Sequence, residues 1–309
     1  MGTGNDWSLA GRVAKLQQWK KRPKASKPRH VKNLVAGKQG TVAVVQDNTT
    51  KLNAVAKTTR FKTTDHIEAV RRWKANKKGQ VQPEGLIEYR IWTVLSQLVM
   101  KKKCPNFVLL WETDIASDGR QMITYSEVWD KTLWTLSKNS QIGKTVFLPE
   151  RAWVSMFFQI CAGLLALHDA GIQHQDLHAN NIFIKAVPKH DGYWAYHIGG
   201  KTYYCPNFGY VIAISDYGRA LSKKHKVRSS FQTAVDDDLS QGVTNEFYDL
   251  ERIFYSIQDK TRKYEFFTDL DFTEAERRAR RPLAKIIPRL FDMYRTKTTS
   301  GKLLDSFRL

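Results

Sequence analysis

Between Ala152 and Ile184 the sequence runs from apolar to polar and back, and no other passage constrains the fold as much. Trp153 to His168 reads as a strongly apolar helix, buried on most sides. It leads into GIQHQDLHANNIFI, residues 171 to 184, a polar loop ending on a short β-rich run. Such a helix needs a sizeable core around it, and 309 residues of which 42% are hydrophobic suit one large domain or two lobes. Ala152 to Leu167 is interrupted by Ser155 and Gln159 and is too short to span a bilayer, so no transmembrane segment is expected. The N-terminal residues lack the apolar run of a signal peptide, and Asp6 stands where a myristoylation signal has Ser or Thr. Three scattered cysteines, Cys104, Cys161 and Cys205, argue against a disulfide framework or a paired-thiol zinc site and point to a reducing, intracellular compartment.

Upstream, Val31 to Lys57 reads as strands broken by a glycine-containing turn and by a second turn at Asp47 to Thr50. Residues 62 to 82 are polar and basic, a loop with some helix. From Pro83 the spacing of Leu86, Ile87, Ile91, Trp92, Leu95 and Leu98 predicts one helical face. Phe107 to Trp111, Gln121 to Tyr125, residues 182 to 184 and residues 210 to 214 read as strands. Gly199–Gly200 marks a tight hairpin. Helices are expected over about Asn245 to Ile257 and from a capping box at Thr273 to Glu276. A strand-rich first part followed by a helix-rich part predicts a two-lobed α+β chain.

Charge suggests a neighbour. The chain carries 50 Lys and Arg against 30 Asp and Glu, a net +20. Spread evenly, that is a solvated surface. It is clustered, however: residues 20 to 32, KKRPKASKPRHVK, hold seven Lys and Arg and no acid, with two prolines that disfavour helix. This segment reads as an extended basic arm that favours an acidic protein or a nucleic acid held non-specifically through phosphate.

The polar loop carries the chemistry. It contains His174-x-Asp176, with Asn181 five residues after the aspartate, and a later β-rich run ends in Ser215-Asp216-Tyr217-Gly218. Phosphoryl transfer from a nucleotide needs one carboxylate to orient the attacking hydroxyl, and a second carboxylate with an amide oxygen to hold magnesium. Asp176, Asp216 and Asn181 supply that set. The plainer alternative for the same residues is a polar surface turn with Asp and Asn in capping roles.

These segments resemble the protein-kinase superfamily, whose catalytic loop reads His-Arg-Asp-x-x-x-x-Asn and whose metal loop reads Asp-Phe-Gly. Val35 to Val42 resembles the glycine-rich phosphate loop, with Gly37, Lys38, Gln39, Gly40 and Val42 in place and Val35 replacing the first glycine. Val55-Ala56-Lys57 resembles the strand carrying the phosphate-binding lysine, fifteen residues after Val42. Glu88 is the first candidate for the carboxylate that braces Lys57, and Glu84 the second. Ser126 resembles the gatekeeper, and Glu127-Val128 the segment that bonds adenine through its backbone. His174, Gly218 and Asp249 take supporting roles by the same resemblance, Asp249 as the helical aspartate that fixes the catalytic loop from below.

The match has departures. Gln175 replaces the arginine that receives an activating phosphate, so activity is expected not to depend on phosphorylation there. His178 stands where lysine is usual, and would contact the transferred phosphate less strongly. The Ala-Pro-Glu closure is absent; Asp236 or Asp237 lies near its glutamate, and Ser229, Ser230 and Thr233 lie in the same segment. Asp-Leu-His is shared with aminoglycoside and choline phosphotransferases. Together with Cys104-Pro105-Asn106-Phe107-Val108 and Ile214 to Arg219, it most resembles serine/threonine kinases of nucleocytoplasmic large DNA viruses. That resemblance covers roughly residues 35 to 257, after the basic arm that the charge pattern sets over 1–33, and implies a bilobal fold with an N-lobe over 34–125 and a C-lobe over 126–309. It implies ATP and Mg2+ as cofactors, a protein substrate, and a place in host cytoplasm or virion. A small-molecule kinase and a non-catalytic basic scaffold on the same fold are the alternatives.

Overall fold

The structure, a computed structural model, describes residues 7–23, 26–37, 40–74, 82–139, 148–189, 191–227, 248–261, 288–297 and 301–309. The chain is α+β and divides into two compact units. The first unit gathers Met1–Met100, Val108–Val128 and Asp216–Val243; the second gathers Lys101–Phe107, Trp129–Ser215 and Thr244–Leu309.

The first unit is built on an antiparallel five-stranded sheet. Its strands are β1 (Arg29–Gly37), β2 (Gly40–Gln46), β3 (Asn53–Arg60), β4 (Leu110–Ile115) and β5 (Gln121–Ser126), in spatial order β1-β2-β3-β5-β4. Opposed pairs fix which residues share a face: Val42 lies opposite Lys57, and Val55 opposite Ser126. Helix α3 (Glu84–Met100) approaches β3 closely at Gly85, where an added methyl carbon would lie 2.7 Å from the Thr59 side chain. Helix α2 (Thr64–Lys74) sets Val70 and Ile67 against Phe61 and Met122.

An element that the sequence reading did not foresee is α1 (Leu9–Lys20), opened by Ser8, whose hydroxyl accepts the Gly11 N–H at 3.1 Å. It buries Leu9, Leu16 and Trp19, and the Trp19 ring lies 5.3 Å from Trp111 and 5.4 Å from Tyr125. The segment expected as an extended arm over 20–32 is therefore bounded by structure at both ends, by α1 through Lys20 and by β1 from Arg29. Within it Arg22 is buried, pairing with Glu112 at 2.5 Å.

The second unit centres on α5 (Glu150–Asp169), which follows a short helix α4 (Leu133–Asn139). Helix α5 is the one helix, among the described residues, long and apolar enough by composition to cross a membrane; here most of it is buried in protein. Gly163 allows β10 (Tyr210–Ile214) to approach, since a methyl there would meet Ile214 at 2.9 Å. β10 pairs with β7 (Ile182–Ala186), which pairs with β6 (Lys131–Thr132). Asn106, fully buried, ties this region together: its amide donates to the Ile212 carbonyl at 3.1 Å and accepts from the Tyr196 hydroxyl at 3.1 Å.

A further sheet holds the hairpin β8 (Gly192–Ile198) and β9 (Lys201–Pro206), turning at Gly199 and Gly200 with φ +55° and +75°. Its third strand, β11 (Lys302–Arg308), runs parallel to β8 and was not foreseen. Helix α6 is described over Tyr248–Thr261. The strand expected at Phe107 to Trp111 begins later, at Leu110, because Phe107 instead bridges to Ile214 and Leu109 pairs with Glu127. The capping box at 273–276 and Asp236, Asp237, Ser229, Ser230 and Thr233 lie outside the described residues.

Candidate active site

In the first unit, strand β3 carries Lys57 on the face turned to α3, and Glu88 sits one turn beyond Gly85 on that helix. The Lys57 ammonium donates to both Glu88 carboxylate oxygens at 2.8 Å and lies 3.5 Å from Asp216 Oδ1. Glu84, the second candidate, instead lies 4.0 Å from Arg219. Burial pushes the Lys57 pKa down, but the Glu88 and Asp216 charges outweigh it and hold the ammonium well above its usual value. Asp216 adopts φ +64°, a left-handed backbone that Asp tolerates better than most residues, and its side chain is half exposed.

Gly37 and Gly40 pair across the end of the β1–β2 hairpin, and the residues between them, Lys38 and Gln39, lie outside the described residues. Gly40 has a packing reason of its own: a methyl carbon there would sit 1.7 Å from the Thr58 carbonyl oxygen. By register, Val42, Val55, Lys57 and Ser126 share a face, whereas Ala56 lies on the other. Ala56 there lines a cavity of about 520 Å³ with Thr41, Ala43, Thr58, Ile123 and Tyr125. The structure thus separates Ala56 from Lys57 and puts Val55 in its place, which strict alternation along the strand would have shown.

Glu127 has a role that its sequence position does not show. Its carboxylate is buried and bound by Arg12 from α1, with Nε–Oε2 at 3.0 Å and Nη2–Oε1 at 2.6 Å, and it accepts the Leu109 N–H at 2.7 Å. Val128 follows, half-buried. A partner 115 residues away leaves no local signal.

In the second unit the loop 174–181 is held from α6. Buried Asp249 accepts the backbone N–H groups of His174 at 2.7 Å and Gln175 at 2.8 Å, and lies 3.3 Å from the His168 ring. Gln175 has φ +67°, so these bonds hold a backbone turn that a glutamine does not favour by itself. His174 is fully buried; its Nε2 faces the Ser215 carbonyl at 2.9 Å, so that nitrogen carries the proton. Its Nδ1 accepts the Asp176 N–H at 3.4 Å.

His178 caps the 3₁₀ turn Ala179–Asn181, its Nδ1 accepting the Asn180 N–H at 3.3 Å. Its Nε2 lies 4.0 Å from Asp176 Oδ2 and 3.4 Å from the Asn181 amide nitrogen. That nitrogen donates to the Asp176 carbonyl at 2.9 Å, which fixes the amide and leaves Oδ1 as its acceptor atom. The Asn181 carbonyl in turn accepts Ser215 N–H and Oγ–H at 2.9 and 3.1 Å, next to Asp216 in the chain. The sequence reading missed Arg252 of α6, whose Nη2 lies 3.3 Å from Asp176 Oδ1.

Among the described residues no group of three or more His, Cys, Asp and Glu is placed to hold a metal. The amide oxygen of Asn181 and, in the other unit, the carboxylate of Asp216 are, however, each a hard oxygen donor of the kind that magnesium takes beside a nucleotide's own phosphates, so the chemistry of each residue fits that ion. Gly218 is buried without steric need of glycine, because a methyl there would meet Glu84 at an ordinary 3.4 Å.

No family model matches the chain. Two similar proteins are named, provisionally, as serine/threonine-protein kinases. One is 380R of Invertebrate iridescent virus 6, 27% identical over 156 residues, or 47% of this chain and 29% of that protein. The other is 019R of Frog virus 3 (isolate Goorha), 41% identical over 73 residues, or 23% of this chain and 8% of that protein. A third, "Uncharacterized protein R403" of Acanthamoeba polyphaga mimivirus, is 35% identical over 72 residues, 22% of this chain and 10% of that protein. The chain thus spans less than a third of the length of each relative. Over those stretches it is similar to proteins named as serine/threonine kinases of large DNA viruses, the group that its own motifs resemble.

Proposed function

We propose that the chain is an ATP-dependent serine/threonine protein kinase of bilobal fold, acting in a reducing compartment of an infected cell or in a virion. The observation that carries the reading is the Lys57 ammonium, held by both oxygens of Glu88 and lying near Asp216, three residues from three separate parts of the chain. A lysine so charged and so fixed is suited to nucleotide phosphates.

Lys57 binds those phosphates, with Val42, Val55 and Ser126 on its side of the sheet. The backbone of Glu127 and Val128 receives the adenine. Asn181 and Asp216 hold Mg2+, which supplies charge neutralisation on the phosphates when bound. The substrate hydroxyl oxygen attacks the γ-phosphorus, the bond to the β,γ-bridging oxygen breaks, and the hydroxyl proton passes to the Asp176 carboxylate. Asp249 and His174 act at one remove by fixing the loop.

Single-turnover transfer from labelled ATP with Mg2+, onto casein, histone and the chain itself, tests the reading. Asp176→Asn is expected to slow transfer by about 10²- to 10⁴-fold while ATP still binds. Label on serine or threonine that vanishes with this variant supports the proposal. Bound ATP without labelled protein turns the reading to a small-molecule acceptor, and absence of Mg2+-dependent nucleotide binding turns it to a scaffold.

A further inference from the structure

The usual lysine two residues after the catalytic aspartate is His178 here, which leaves the transfer step without the cation expected at that place. The imidazole cannot supply it in this arrangement. Its Nδ1 accepts the Asn180 N–H at 3.3 Å, a bond that a doubly protonated ring could not accept. A guanidinium, by contrast, is charged at every working pH.

One is present beside the same carboxylate. Arg252 Nη2 lies 3.3 Å from Asp176 Oδ1, while His178 faces Oδ2 at 4.0 Å. Arg252 is oriented from its own helix: Nη1 donates to the Tyr248 hydroxyl at 3.3 Å, and the guanidinium carbon lies 5.7 Å from the centre of that ring. Tyr248 is one turn earlier on α6, the helix whose Asp249 holds the loop backbone. One helix therefore positions the loop and brings up a charge. The Arg252 side chain is 41% exposed, which leaves its planar fork room to meet a phosphoryl group.

We propose that Arg252 is a catalytic residue that contacts the transferred phosphoryl group beside Asp176 and supplies the positive charge that His178 does not. The proposal rests on the kinase reading. In the step, the acceptor oxygen forms its bond to the γ-phosphorus as the bond to the ADP oxygen breaks, and the hydroxyl proton goes to Asp176. Arg252 keeps its proton throughout and lowers the energy of the equatorial phosphoryl oxygens as their charge redistributes.

The test is single-turnover transfer at saturating ATP to casein and histone, with ATP affinity and melting temperature measured in parallel. Arg252→Met is expected to slow transfer about 10²-fold with ATP affinity and melting temperature unchanged. Arg252→Lys restores part of the rate, and millimolar guanidinium ion restores part of it to Arg252→Ala. A merely structural arginine shows neither rescue. Tyr248→Phe, which keeps the ring and loosens the guanidinium, gives a smaller loss and serves if the Arg252 variants do not fold. Wild-type transfer with an undiminished rate in folded Arg252→Met, or in Tyr248→Phe where the former does not fold, overturns the role of Arg252 alone. A wild-type chain that transfers no phosphate to protein overturns the protein-kinase reading, and this proposal with it.

Discussion

One methyl group distinguishes two glycines that look alike in sequence. At Gly40 it would lie 1.7 Å from the Thr58 carbonyl, and β2 and β3 cannot part without losing ladder bonds. Gly40→Ala is expected to cost about 3 kcal/mol or more by urea unfolding, whereas Gly218→Ala, meeting Glu84 at 3.4 Å, stays within about 1 kcal/mol. Asp249 makes a prediction in pH. Burial pushes its pKa up, but the hydrogen bond from His168, the His174 ring and the His174 N–H outweigh this and hold it below the usual 3.8. A depressed carboxyl stabilises the fold fully above its unfolded value and loses that stabilisation as pH falls through the folded one. Urea midpoints between pH 5 and pH 2.5 should therefore fall more for wild type than for Asp249→Asn. At pH 7 that variant is expected to lose about 2–4 kcal/mol, because its amide turns a donor towards backbone N–H groups. Lys57 behaves oppositely. Its raised pKa leaves the pairing intact below the usual 10.5, so it adds no slope between pH 6 and 9.

At the scale of elements, α1 shows what a chain can hide. Leu9, Leu16 and Trp19 at helical spacing after Ser8 are a signal, but the basic residues that follow drew the reading towards an extended arm. What makes the helix integral is a pair of charges from distant positions, Arg12 and Glu127, each about 2% exposed. Arg12→Met alone leaves a buried carboxylate unpaired and is expected to cost about 3–5 kcal/mol in thermal or urea unfolding. Replacing Glu127 by Met as well should recover much of this but not all, since the Leu109 N–H then lacks its acceptor. The readable parts were those with local periodicity or local turn chemistry: α3 from Pro83, the Gly199–Gly200 hairpin, the paired runs at 182–186 and 210–214. The Lys57–Glu88 contact was readable only as far as helix register allowed, with Glu84 as rival. Ala56 was misplaced by one step of the pleat. Arg12, Arg252 and β11 could not be read, because each acts through a partner far away in sequence.

For the whole molecule the net charge of +20 is the dominant quantity, but its clusters are not all available. Arg22 is occupied by Glu112, whereas Lys20, Lys21, Lys27, Arg29 and Lys32 are exposed. If the basic segment holds nucleic acid, affinity for duplex DNA falls linearly on a log–log plot against salt. Lys20→Ala, Lys21→Ala and Lys27→Ala together then lower that slope by about 2–3 without changing the melting temperature. Salt-independent binding would exclude a phosphate contact. Arg22→Ala should instead destabilise the protein.

The parallel pairing of β11 with β8 sets a timetable for synthesis. Lys302 pairs with Gly192, so β8 leaves the ribosome 110 residues ahead of the strand that covers its edge. At about 5–20 residues per second that edge stays open for roughly 5–20 s, paired on one side only by β9. During this interval it offers unpaired backbone groups to any neighbouring nascent chain. Slower elongation between residues 200 and 300 should then lower the soluble yield, through a hazard that the finished fold no longer shows.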